Sequence, residues 1–159
     1  MGGSVLFPTQ PSPRPAPERP LRKWLFAGGG ILALLLVWTC GRGAYSSYRV
    51  ADSAVGHFHA LLNQSEYEEL YGDATDEFRR MGERSEQIAF LEKVHTRMGN
   101  AGKTKLAGFH INATNKGTFV NLVYQTDFEQ GQAREGFVWR VSGEQARLIG
   151  YHIDSPNLR

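Results

Sequence analysis

The 159-residue sequence predicts an α+β domain carried behind one apolar, membrane-spanning helix. Three observations predict it. Trp24 to Cys40 is the longest apolar run and holds no charge. Between Val50 and Met98 the apolar residues recur at helical spacing. From Leu106 to Ile153 the period falls to two, in four stretches divided by turn signals. About three helices followed by four strands on short turns give helices packed on a four-stranded antiparallel sheet.

The apolar run decides where the rest of the chain resides. Lys23 and Arg42 bracket eighteen uncharged residues, WLFAGGGILALLLVWTCG. A helix of that length covers ~27 Å, enough for the hydrocarbon core of a thin bilayer. Gly28, Gly29 and Gly30 would weaken a helix in water, but in lipid the backbone has no other hydrogen-bond partners. Trp24 and Trp38 sit near the ends, where amphipathic rings favour the interface. A buried soluble helix would need a polar face, and this one has none. Two processed alternatives are a cleaved signal peptide, with Gly41, Gly43 and Ala44 as small residues near a cut, and lipidation at Cys40. Trp38 and Thr39 match the lipoprotein pattern poorly, and the preceding tail is long for a signal. An uncleaved signal anchor is the expectation.

Arg14, Arg19, Arg22 and Lys23 precede the span, whereas Arg42 and Arg49 alone follow closely. Basic residues stay cytoplasmic, so the C-terminal domain is expected outside the cytoplasm. The expected organisation is a disordered proline-rich cytoplasmic tail over 1–22, a transmembrane helix over 23–42, a Gly/Ser linker over 43–49 and an α+β domain over 50–159. Six of the seven prolines fall within the first twenty residues, and such a segment cannot bury a core. Its PxxP spacings suit a proline-binding domain or a plain spacer.

The folded elements follow in order. Val50, Ala54, Phe58, Leu61 and Leu62 mark the first helix, which Asn63-Gln64-Ser65 breaks. Ser65 is placed to cap a second helix carrying Tyr67, Leu70 and Tyr71, and Phe78 and Met81 continue toward Gly82. Ser85 is placed to cap the strongest helix, with Ile88, Phe90, Leu91, Val94 and Met98 on or near one stripe and Gly99 at its end. The strands run over Leu106–Ala113, Thr118–Phe128, Ala133–Val141 and Arg147–Ile153. Their inward residues are expected to be Val120, Leu122, Tyr124 and Phe128, then Phe137, Trp139 and Val141, then Ile149, Tyr151 and Ile153.

From Gly41 onward there are 14 basic and 15 acidic residues, so the folded part lacks the basic excess of a nucleic-acid binder. The one cysteine, Cys40, can form neither an internal disulfide nor a cysteine-based zinc site. The ionisable residues set within strand alternation are His110, Asp127 and His152, and each is expected to face solvent. His57 and His59 stand two apart, diverging by about 200° on a helix, so they cannot share a metal. The acidic run Glu66, Glu68, Glu69, Asp73, Asp76 and Glu77 is expected to be a solvated helix face. No catalytic, cofactor-binding or metal-binding residue is assigned.

Phe58 to Arg79, FHALLNQSEYEELYGDATDEFR, and Phe137 to Ser155, FVWRVSGEQARLIGYHIDS, resemble the first helices and final hairpin of a family of small bacterial anchored or lipoprotein-like proteins of unknown function. The resemblance covers about Val50 to Leu158. It implies a cystatin-like, nuclear-transport-factor-two-like cone, and supplies no catalytic residues. A complete fold signature without a catalytic constellation leads to the expectation of a non-enzymatic domain that binds a protein partner or a small apolar ligand in the cone, on the periplasmic side of a bacterial inner membrane reached through Trp24–Gly41. The layout also resembles the bitopic periplasmic-core subunit of type IV secretion systems, which makes an envelope-complex assembly component the alternative. A cone-cavity isomerase or dehydratase is the third possibility.

Overall fold

A computed structural model describes residues 43–159. The expected tail (1–22) and all but the last residues of the expected anchor and linker lie outside that range. Among the described residues no helix is long and apolar enough to cross a membrane.

Helix α1 covers residues 43–63 and is the longest. Residues 43–49, expected to be a linker, are part of this helix. The sequence there holds no proline, the Ser47 hydroxyl bonds back to the Gly43 carbonyl at 3.0 Å, and Tyr48 and Val50 already pack against the core. Ala51, Val55, Phe58 and Leu62 form the buried stripe. Asn63-Gln64-Ser65 does end the helix. Ser65, however, adopts φ +61° instead of capping α2 (Tyr67–Asp73), whose N-cap is Glu66.

A one-turn helix α3 (Asp76–Arg79) follows, so the α-helices among the described residues number four. Thr75 fixes it twice over. The Thr75 hydroxyl accepts from the Phe78 amide at 3.3 Å, and the Thr75 amide and hydroxyl donate to the Leu148 carbonyl at 2.9 and 3.0 Å. Helix α4 (Arg84–Met98) starts one residue before the expected Ser85 cap, with Glu83 at its N-cap. It buries Leu91, Val94 and Met98 and leaves Phe90 exposed.

Gly99 ends α4 as expected. Its φ of +73° belongs to the region glycine favours, and a β-carbon there would lie 2.6 Å from Glu129 Oε2. The Glu129 carboxylate also accepts from the Asn100 backbone amide at 3.1 Å and from its side-chain amide at 2.9 Å, and these two bonds lower its pKa. Gly99→Ala is therefore expected to cost about 1–3 kcal/mol in a denaturant titration, because strain and displacement of Glu129 coincide.

Strands β1 (Ala101–Thr114), β2 (Gly117–Phe128), β3 (Gly131–Ser142) and β4 (Gln145–Asp154) form one antiparallel sheet in sequence order, with β1 and β4 at its edges. A short 3₁₀ turn, Pro156–Leu158, closes the chain. The helix-facing side buries Val120, Leu122, Tyr124 and Phe128 of β2, and Phe137, Trp139 and Val141 of β3, as the alternation requires. On β4 the inward set differs from expectation. The register slips between Val138 and Trp139, pairing Val138 with Gly150 and Trp139 with Leu148. Ile149 becomes the bulged residue and Leu148 takes the buried place, with Tyr151 and Ile153 still inward.

Candidate functional site

Where α1 crosses the sheet, a polar cluster interrupts the apolar core. Glu135 lies on β3 in phase with Phe137 and Trp139, and it is wholly buried. Its carboxylate is filled from three sides. The Thr126 hydroxyl donates to Oε2 from β2, the Tyr151 hydroxyl donates to Oε1 from β4 at 2.7 Å, and His59 Nε2 of α1 lies 2.9 Å from Oε2. Burying a carboxylate costs several kcal/mol unless its lone pairs are met, and here they are. Apolar rings enclose the cluster. His59 stands edge-on to Phe137 and Phe128, with centroids at 5.8 and 6.3 Å, and Phe58 lies 4.7 Å from the Tyr151 ring. Three donors, two on Oε2 and one on Oε1, join α1 to three strands through this one carboxylate.

Burial, followed by the nearby Glu135 charge, pushes the Tyr151 phenol well above its ordinary value. Tyr124 is also raised, first by burial and then by its hydrogen bond to Asp52 of α1. An unfolded tyrosine titrates near ~10. Above that pH the unfolded chain releases protons that the folded chain holds, so the contribution of both groups is whole below pH ~10 and declines as pH rises further. Stability measured across the alkaline range should fall above pH ~10, and Tyr151→Phe should flatten that decline.

Two cavities flank the cluster. The first, about 400 Å³, lies between α1, the end of α2 and the β3–β4 hairpin. Ala54, Phe58, Leu61, Leu70, Trp139 and Leu148 supply its apolar wall, and His57, Asp73, Gln145 and Arg147 its polar rim. Arg147 is held in place by the last carbonyls of α2, donating from Nη2 to Ala74 at 2.9 Å and from Nε to Asp73 at 3.2 Å. Arg79 Nη1 reaches the Gly72 and Ala74 carbonyls at 2.8 Å, so two guanidinium groups satisfy a helix end with no basic residue in its own last turn. Trp139 is only 4% exposed, and its buried indole Nε1 finds no acceptor among the described residues.

The second cavity, also about 400 Å³, runs between α1 and the start of β1, and is lined by Asp52, His59, Asn63, Thr104 and Tyr124. Asn63 closes one end, its amide exchanging hydrogen bonds with the Ala101 backbone at 3.0 and 2.8 Å.

The residues singled out in the sequence are dispersed. His110, Asp127 and His152 are all exposed, and Asp127 accepts from Gln132 at 2.7 Å. His57 and His59 diverge as the helix requires, His59 to Glu135 and His57 to Asp73 at 3.6 Å. The acidic run lies exposed along α2 and α3, pairing with basic neighbours that include Arg79, Arg84 and Arg140. The Arg140 pair holds Glu77 down at about 2. One trio among the described residues, His57 with Glu69 and Asp73, could converge on a cation, with ligand atoms within 4.8 Å of one another. All three are exposed and no buried group orients them, so they make no preformed site.

Sequence spacing did not single out Glu135, although its odd number places it in phase with Phe137, Trp139 and Val141. An acidic residue on the buried face of a strand was the available signal.

Fold and cluster together define an α+β domain whose long first helix is joined to an antiparallel sheet by a buried glutamate–histidine pair beside an apolar cavity. No protein-family model matches the chain, and no curated protein matches it.

Proposed function

We propose that this chain is a membrane-tethered binding protein, whose domain has the cystatin-like cone form and takes up a small apolar ligand without chemical turnover. The apolar run Trp24–Gly41 serves as an uncleaved anchor, the proline-rich tail stays cytoplasmic, and the domain faces outward. The cavity beside Trp139 carries the reading. It combines an apolar wall that includes Trp139 with a polar rim where Arg147 supplies a cation, the elements of a site for a ligand with one apolar and one anionic end. The complete burial of Glu135 among three donors supports binding over acid–base turnover.

A test uses the full chain in lipid nanodiscs, labelled with fluorotryptophan, with octanoate as the probe. Octanoate should shift the Trp139 fluorine resonance, and Ala146→Phe, which narrows the cavity, should abolish that shift. A Trp139 resonance that octanoate leaves unmoved, or one that moves equally in the Ala146→Phe protein, would overturn the proposal.

A further inference from the structure

Four large apolar side chains are exposed among the described residues, and two of them belong to one patch at the start of the domain. Tyr45, 63% exposed, lies on the first turns of α1, one helical turn before Tyr48. The Tyr48 ring meets the ring of Phe109, 61% exposed, at 5.6 Å across to β1. The three rings thus form an aromatic surface that bridges α1 and the edge strand. Phe109 pairs with Leu122 on the helix-facing side of the sheet, and its ring covers Tyr48 at the margin of the core while more than half of it stays open to solvent.

The surroundings say what covers this surface. The apolar run ends at Gly41, four residues before Tyr45, so the two lie at most about 14 Å apart whatever the chain does between them. Helix α1 runs antiparallel to β1, with Tyr48 beside Phe109 and Asn63 bonded to Ala101. The β1–β2 turn therefore lies at the same end as the first turn of α1. At this end the chain carries Lys116 at the β1–β2 turn and no carboxylate from Leu106 through Gly117, and from 43 to 51 its one charged residue is Arg49. Tyrosine rings flanked by lysine and arginine are the composition that seats in the headgroup layer, where amphipathic rings and anionic lipids both find partners.

We infer that Tyr45, Tyr48 and Phe109 rest in the headgroup layer of the membrane, and that this contact orients the domain on the bilayer. The inference rests on the anchor proposed above.

Its test places a nitroxide on the full chain with Cys40→Ser, in vesicles of equal parts phosphatidylcholine and phosphatidylglycerol. Ala113→Cys puts the label beside the patch, Gln132→Cys at the far end of the sheet, and Trp38→Cys in the span. The label at 113 should lose accessibility to an aqueous nickel complex and gain it to oxygen dissolved in lipid, while the label at 132 stays aqueous. Tyr45→Ser with Phe109→Ser should return position 113 to water, with the circular dichroism spectrum unchanged because both side chains are exposed. A label at 38 in lipid with one at 113 as aqueous as at 132 would overturn the inference and leave the anchor standing. An aqueous label at 38 would remove the anchor and the inference together.

Discussion

Glu135→Ala should lower the unfolding free energy by about 3–5 kcal/mol, an effect as large as any single polar substitution in this domain. The size follows from what remains behind. Removing the carboxylate strands the Thr126 and Tyr151 hydroxyls and His59 Nε2, all drawn inward from three different elements. Thr126 has no exposed surface and His59 only 7%, so neither can turn to water. Glu135→Gln keeps the volume but turns an N–H₂ toward donors, and should cost about 1–3 kcal/mol. Denaturant titrations followed by circular dichroism give both numbers. His59→Phe, alone and combined with Glu135→Ala, should show a coupling of about 0.5–3 kcal/mol. A loss below about 1 kcal/mol for Glu135→Ala would mean that the cluster does not join α1 to the sheet.

Phe58→Ala should cost a comparable ~3–5 kcal/mol, by a different route. The ring is 1% exposed and packs edge-on against Phe137 at 5.2 Å and obliquely on Tyr151 at 4.7 Å. It also forms part of the wall of the Trp139 cavity, so it stands between that cavity and the glutamate cluster. Its removal should admit water to the Tyr151 hydroxyl. The phenol, raised chiefly by burial, should then titrate at lower pH, which ultraviolet difference spectra of tyrosinate report directly. Phe109→Ala serves as the contrast, because that ring is largely exposed and its loss should change stability by no more than about 0.5 kcal/mol. Equal losses for the two phenylalanines would contradict this division between core and surface.

Much of this architecture is legible along the chain, and the misses have physical causes. Alternation in Thr118–Phe128 and Ala133–Val141 identifies the buried faces of β2 and β3, because a sheet face packed under helices must be apolar at every second residue. Alternation fails on β4 at the bulge, where pairing with β3 promotes Leu148 over Ile149 and no local residue announces the slip. Gly43 to Ser47 looks like a linker by composition, yet Tyr48 and Val50 dock on the core and carry the helix backward over it. Ser65 and Ser85 look like caps by residue type, yet the N-caps fall one position after the first, at Glu66, and two positions before the second, at Glu83. The candidate site was the least legible part. Glu135 is visible by phase, but His59, Thr126 and Tyr151 come together through contacts spanning up to 76 positions, which no short spacing records. The cavity owes its Arg147 rim to the end of α2, a contact made across 74 positions.

The proposed anchor fixes which compartment sees the cavity, and a pair of C-terminal fusions to the full chain measures this directly. Alkaline phosphatase is active only outside the bacterial cytoplasm and β-galactosidase only within it. The account predicts phosphatase activity that sediments with membranes and resists alkaline carbonate extraction, with the β-galactosidase fusion inactive. Active β-galactosidase recovered in the carbonate-soluble fraction would contradict it.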